Sequence, residues 1–289
     1  MISYRTKYFI VILIMVIASA CESDVKNVVL PEFNQKLVIT SFISPSDTMS
    51  YFTVTSNKKL FGELNTEEPL GNLTGFISDG LNEVALDTTE TGFKINHNKM
   101  QIQYGKTYNL RISSDKGLSA IASCTVPEKR NFIIEADTFS VLSNYAWLME
   151  KRLIDLKLTI HDIPGEDNFY RIIAKSISYF SHPDSRESYC STGILQFENE
   201  FFDDNGMDGG KIIKKTNYGI NYFYQQDSAY FVIYLMNLEK SYYLYHKSIS
   251  EYRDGENPFS EATPVYSNIT DGLGVFTSYT VDSLICRLK

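Results

Sequence analysis

The sequence predicts a mainly β protein: two β-sandwich-like domains behind a lipoprotein signal peptide and a short linker, with one short helix near the C-terminus. Three observations carry this. Short segments of β-branched and aromatic residues recur between turn-forming residues. Several of them alternate apolar and polar positions, the period of a half-buried strand. The chain of 289 residues also holds 20 Tyr and 18 Phe against a single Trp, a bias toward side chains that fit a pleated surface.

At the N-terminus Arg5 and Lys7 precede an apolar run over 8–18, YFIVILIMVIA. The run is shorter than the roughly 20 residues a spanning helix needs. Ala18, Ser19 and Ala20 follow it, so residues 1–20 read as a cleaved secretory signal. Cys21 stands directly after these small residues and resembles the lipobox of bacterial lipoproteins, where the Cys is acylated and becomes the mature N-terminus. The Leu usual three residues before that Cys is Ala18 here. Several acyl chains, at about 0.8 kcal/mol per buried CH₂, give a stable membrane anchor. Residues 21–35, with Asn27, Pro31 and Asn34 and little periodicity, read as a lipidated tether. Glu22 and Asp24 behind the Cys are similar to the surface-export signal of Bacteroidota lipoproteins. The expected location is therefore the outer membrane, with the cell surface favoured over the periplasmic face.

The body divides at a Pro and charge cluster over 127–130. In the first domain, 36–128, the strands expected are 36–44, 51–55, 74–77, 83–86, 93–95, 106–113 and 118–126. Turns such as Asp79-Gly80 and Asp115-Lys116-Gly117 separate them. Seven short strands with regular turn signals predict an Ig-like β-sandwich. In the second β-rich domain, 129–289, residues 152–161 alternate most cleanly: Ile154, Leu156, Leu158 and Ile160 on one face, Asp155, Lys157, Thr159 and His161 on the other. Strands over 169–180 and 229–238 follow, then a helix over 240–253 with Leu244 and Ile249 toward its inner face.

Formal net charge is −8, from 27 basic and 35 acidic side chains, with no basic block. Nucleic acid is not an expected partner. Asp203, Asp204 and Asp208 sit in the densest acidic cluster, where alternating Asp and Asn oxygens around a Gly could wrap a structural calcium ion. The full calcium-loop spacing is absent, and Asp-Asn-Gly and Asp-Gly-Gly are turn formers in their own right. The expectation is a structural turn and no cofactor. Gly272 and Gly274 lack the third Gly and following helix of a phosphate loop and read as a bulge or a close approach of two backbones. The four His show no paired metal spacing, and no G-x-S-x-G elbow is present; the chain is not expected to be an enzyme. Of the remaining Cys, 190 and 286 are the better disulfide pair, with three buried free thiols as the alternative. Tyr218, Tyr222, Tyr224 and Tyr230 crowd one region and are the candidate binding residues, since Tyr is enriched at interfaces; core packing is the competing use.

Several segments together carry a family resemblance: KLVITSFIS (36–44), GKTYNLRISSDKGLSAIASCTVP (105–127), DIPGEDNFYRI (162–172) and above all PVYSNITDGLGVF (264–276). With the lipobox they resemble Bacteroidota lipoproteins of domain-of-unknown-function family 4249, over nearly the whole mature chain. The resemblance implies a binding or accessory role beside a TonB-dependent outer-membrane transporter in nutrient uptake. It supplies no catalytic residues. The alternatives are an envelope hydrolase acting on glycans or peptides, and a structural envelope protein.

The signal architecture makes a direct prediction. Cells fed an alkyne fatty acid should label the wild-type protein and not Cys21→Ala. Equal labelling of the two would remove the lipid anchor from the account.

Overall fold

The computed structural model describes residues 33–58, 69–128, 134–143, 151–181, 188–197, 199–221, 225–254 and 264–287. The signal peptide, Cys21 and most of the tether lie outside these residues, as does 129–133 behind the expected domain boundary. Gln35–Lys58 and Asn65–Lys289 belong to one compact unit.

The first half holds β1 (Leu37–Ile43), β2 (Met49–Ser56), β3 (Leu73–Ser78), β4 (Glu83–Ala85), β5 (Asp87–Thr89), β6 (Gly92–Asn96), β7 (Thr107–Ser114) and β8 (Ser119–Thr125). The strands β1-β2-β6-β5 run side by side in one sheet, and β4-β3-β7-β8 form a second. Alternation decides what lies between them. Leu37, Ile39, Phe52, Phe93 and Ile95 from the first sheet meet Ile77, Tyr108, Leu110, Ile112 and Cys124 from the second in one buried core. Two sheets that share one core between their inner faces make a β-sandwich-like arrangement. The predicted strand over 83–86 is shorter than expected, and β5 follows it as a separate strand after Leu86 turns inward.

The second half holds β9 (Ile134–Ser143), β10 (Lys151–His161), β11 (Phe169–Ser181), β12 (Ser188–Leu195), β13 (Phe201–Asp203), β14 (Lys211–Asn221), β15 (Gln225–Leu238), α1 (Lys240–Asp254) and β16 (Leu273–Arg287). Here β14-β10-β9 make a three-stranded sheet. Its Leu156, Leu158, Ile160 and Ile212 pack on Tyr170, Ile172, Ala174, Phe231, Ile233 and Leu235 of β11 and β15. Helix α1 buries Tyr242, Tyr243 and Ser248 most deeply, on a floor that is aromatic: Phe42, Phe169, Phe201 and Tyr279; the expected Leu244 packs on the same cluster partly buried, and Ile249 is half-buried.

One strand belongs to both halves. Residues Leu273 to Ser278 of β16 pair in parallel with β1, and Tyr279 to Arg287 pair antiparallel with β15. The result is a nine-stranded sheet in the order β12-β11-β15-β16-β1-β2-β6-β5, with β13 beside β11. Phe276 fills the first core, while Leu284 and Cys286 pack on the second. The expected close approach of backbones is at Gly274, whose φ is 98°. A Cβ there would collide with the Ile39 carbonyl oxygen.

A polar clamp sits where β16 changes partners. Glu239, just before α1, accepts from the Thr125 N–H at 3.1 Å and from the Thr277 hydroxyl at 2.9 Å. Ser241 donates to Thr277 Oγ1 at 2.6 Å, and Ser278 donates to the Thr125 carbonyl at 2.8 Å. Burial raises the Glu239 carboxyl above its ordinary 4.5, and hydrogen bonds from Thr125, Thr277, Ser241 and Ser278 pull it part of the way back. Burial likewise raises the neighbouring Cys124 thiol.

The pH dependence follows in sign. A carboxyl whose folded value is raised contributes stability that is complete below the unfolded value of 4.5 and is lost as pH rises through the folded value. Glu239→Gln should therefore reduce the gain in melting temperature that wild type shows on going from pH 7 to pH 5. Glu239→Ala should cost about 1–3 kcal/mol at either pH, because the Thr125 N–H loses its acceptor. An unchanged pH slope in Glu239→Gln would contradict the burial argument.

Candidate functional site

The predicted acidic cluster is assembled differently from its sequence reading. Asp204 and Asp208 come together not with Asp203 but with Asp162, at the end of β10; one oxygen from each lies within 4.8 Å of the others. Asp203 turns away and accepts from the Tyr243 hydroxyl at 3.2 Å. The loop 162–168 and the loop 204–210 lock together around these carboxylates. Asp162 accepts from the Tyr170 hydroxyl at 2.6 Å and from the Gly209 N–H at 2.9 Å. Asp204 accepts from the Asn168 N–H, and Asp208 from the Gly165 N–H at 2.7 Å. Asp162, Asp204 and Asp208 are the residues that could hold a hard divalent cation. Each also has a protein donor of its own, which suits the turn role.

The four Tyr candidates fare unequally. Tyr222 and Tyr224 lie outside the described residues. Tyr218 is in β14 opposite Ile154, and its side chain lies outside the description. Tyr230 is on the outer face of the sheet β12-β11-β15-β16. Paired residues of antiparallel strands share a face, so the register defines this surface. Ile194 faces Lys175, Lys175 faces Val232, and Val232 faces Ile285. The next row runs Thr192, Ile177, Tyr230, Arg287, and another contains Ile173, Tyr234 and Ser283. Ile194 is 73% exposed, Ile285 66% and Tyr179 46%. Lys175 lies 5.9 Å from the Tyr234 ring and Arg287 5.9 Å from the Tyr230 ring. Among the described outward positions of these four strands there is no Asp or Glu.

Toward its other end the same face is covered by α1. There Tyr242 and His246 stack at 4.6 Å, and Arg171 is ion-paired with Glu200 and donates to the Tyr242 hydroxyl at 3.2 Å. Burial lowers the His246 imidazole and raises the Tyr279 phenol, which donates to Asp47 at 3.2 Å. A cleft of about 530 Å³ opens between α1 and the β13–β14 region, lined among others by Phe201, Asp203, Lys214, Tyr243, His246 and Glu251. Its size is in the range of small-ligand sites. Sequence reasoning missed it because no single segment supplies it.

One Ser–His pair also escaped the sequence reading. Ser50 Oγ lies 2.8 Å from His97 Nε2. Ser50 is only 1% exposed, so the pair ties β2 to the turn after β6 and offers no accessible nucleophile. The expected Cys190–Cys286 bridge is overturned: no disulfide joins the three described Cys, with Cys190 exposed and only Cys124 buried. Two strands, β11 and β15, separate β12 from β16. Three strand spacings are about 14 Å, twice the reach of a disulfide. Among the described residues no helix is long and apolar enough to cross a membrane.

The chain belongs to the family described as Domain of unknown function (DUF4249), which matches residues 24–285. No curated protein matches it. Among solved structures it is similar to "Biofilm associated protein - B domain" at 6% identity over 86% of this chain and 85% of that one, with a TM-score of 0.18.

For the acidic loops the expected outcome is the same melting temperature in millimolar calcium and in chelator, with Asp162→Ala destabilising by about 1.5–3 kcal/mol through its charge-assisted hydrogen bonds. A filled calcium site would instead add about 2.7 kcal/mol at a hundredfold excess over its Kd. A chelator-sensitive shift of several degrees, lost in Asp162→Ala with Asp204→Ala, would make these loops a calcium site.

Proposed function

We propose that the protein is a binding component of the outer membrane, anchored by lipid on Cys21 and working beside a TonB-dependent transporter in nutrient uptake. The observation that carries this is the outward sheet face around half-buried Tyr230 and Val232, on which Ile194, Ile285 and Tyr179 stand exposed. A surface of apolar and aromatic side chains that the fold itself leaves uncovered marks a place for a partner. Interfaces enrich Tyr and Arg and deplete Asp and Glu, and this face has that composition. The cations lie along Tyr rings, which keeps their stems on apolar surface while the charge stays solvated. The family resemblance supplies the transporter as partner. The cleft beside α1 gives the same protein a place to hold a small ligand. The reading includes no catalysis; the alternative of an envelope hydrolase would need a nucleophile or acid–base pair open to substrate.

The test is detergent pull-down of the native lipoprotein. Wild type should bring down a β-barrel protein. Tyr230→Ala combined with Ile285→Glu should lose it with melting temperature nearly unchanged, because both side chains face outward. Retained capture by the double variant would eliminate this face as the docking surface. Turnover of a glycan or peptide by purified protein, abolished by one substitution, would replace the binding reading with the enzymatic one.

A further inference from the structure

Helical spacing builds one wall of the cleft beside α1. Tyr243, His246, Lys247, Ser250 and Glu251 recur three and four residues apart, so they share a helix face, and all five line the cleft of about 530 Å³. Phe201 and Asp203 alternate along β13 and line it from the strand side. His246 is held firmly in this wall. Its Nδ1 lies 3.2 Å from the Tyr242 carbonyl. A carbonyl only accepts, so Nδ1 carries the proton and Nε2 is the acceptor of the neutral ring. Tyr242 stacks on the imidazole at 4.6 Å and Phe201 at 4.9 Å.

The chemistry of the lining narrows what fits. Each of its aromatic rings already has neighbours over it: His246 and the Arg171 guanidinium at Phe201, Tyr170 and Lys214 at Phe202, Phe169 and Lys247 at Tyr243. The flat faces on which a sugar or a nucleobase would stack are therefore taken by the protein. The charges are of both signs. Glu200 is ion-paired with Arg171, which leaves Asp203 and Glu251 against Lys214 and Lys247 in the described lining. Lys247 and Glu251 stand four residues apart, a spacing at which helix side chains can pair. Among the described residues neither of the two is in an ion pair. A ligand with net charge would leave part of this balanced set uncompensated, and an apolar one would desolvate it with no return.

We propose that this cleft binds a short peptide by its free termini, the α-carboxylate at Lys247 and the α-ammonium at Glu251 and His246 Nε2. A zwitterion matches a lining that holds both signs in balance. Its ends make charge-assisted hydrogen bonds, about twice as strong as neutral ones. Lys247 and Glu251 start one helical turn apart, about 5.4 Å, and their flexible stems widen that span. Two or three residues, at roughly 3.5 Å each, bridge it. Recognition through the termini is indifferent to peptide sequence. The inference rests on the reading of the protein as a binding component and names the class of ligand for its cleft.

The experiment is calorimetric titration of the full-length lipoprotein in detergent with trialanine. Wild type should bind it saturably, and should bind N-acetyl-trialanine amide, which keeps the side chains and loses both charges, about tenfold more weakly or worse. Lys247→Gln should weaken trialanine about tenfold and leave the affinity for trialanine amide unchanged. Glu251→Gln should do the same with N-acetyl-trialanine as the indifferent ligand. The comparison of free and blocked peptide on wild type needs no variant, so it decides the matter even where a variant misfolds. Equal affinity for free and blocked peptide overturns the proposal, as does saturable binding of maltotriose without binding of trialanine, or no binding of trialanine at all. Capture of a β-barrel protein is scored separately. Capture kept while trialanine fails removes the peptide assignment alone; capture lost while trialanine binds removes the transporter and leaves the cleft assignment standing.

Discussion

The fold depends on two backbones being able to lie against each other at Gly274. Strand β1 begins the folded body, and β16 ends it; their parallel pairing joins opposite ends of the chain. Gly274 sits at φ 98° against Ile39, a conformation and a contact that a Cβ forbids. Asn268 then fixes the strand beyond it, donating to the Phe276 carbonyl at 2.7 Å and accepting from the Phe276 N–H at 3.0 Å. With Phe276 set, the first core closes, and the remainder of β16 is aimed at β15. A parallel pair between chain ends closes a long loop, an entropic cost that the pairing and the core it completes must offset. The most specific part of the family resemblance, 264–276, is the segment that makes this pairing.

The clamp around Glu239 shows how the same junction handles polarity. At the strand change, Thr277 and Ser278 are fully buried hydroxyls, and buried hydroxyls need partners. A single carboxylate serves both of them and the Thr125 N–H. The three groups come from β8 and β16, and the carboxylate from the residue between β15 and α1. Burial of the carboxylate is unfavourable, as its raised proton affinity records, but removing it would orphan several groups at once. Such a group makes the joint specific more than it makes it strong.

Where the pattern was local, the sequence was readable. Tyr108, Leu110 and Ile112 of β7, and Leu156, Leu158 and Ile160 of β10, alternate because one face is core and the other is not. The helix position was also legible, though its buried face was not: Tyr242 and Tyr243 look amphipathic in sequence, and only the aromatic floor decides that they go inward. Strands β9, β12 and β14 were missed because acids, small polar residues or lysines interrupt the apolar alternation in their sequences. Asp162 was missed as the third carboxylate because it precedes Asp204 by a whole strand pair, and only the β11–β13 pairing closes that distance. Crowding of Tyr said that rings had a use there, not which use. Tyr170 is buried against Asp162, whereas Tyr230 faces outward.

The two sandwiches meet water in different ways, and the difference is what gives the second one a function to look for. On the outward side of β7 and β8 the chain places Thr107, Asn109, Arg111, Ser119, Ser123 and Thr125, with Ile121 the lone large apolar residue. On the outward side of β11, β12, β15 and β16, away from α1, it places Ile177, Tyr179, Ile194, Tyr230, Val232, Tyr234 and Ile285. Nothing about the strand backbone requires this, since Thr serves a strand as well as Ile. Each apolar side chain left in water forgoes about 25 cal/mol per Å² that burial would supply. Helix α1 recovers that energy at one end of the face by laying Tyr242 and Tyr243 over it. At the other end the helix does not reach: Tyr179, Ile194 and Ile285 stay exposed, and Ile177, Tyr230, Val232 and Tyr234 are half-buried only by one another and their strand neighbours. The apolar surface that would gain from cover is therefore concentrated at the end of the sheet farthest from β5.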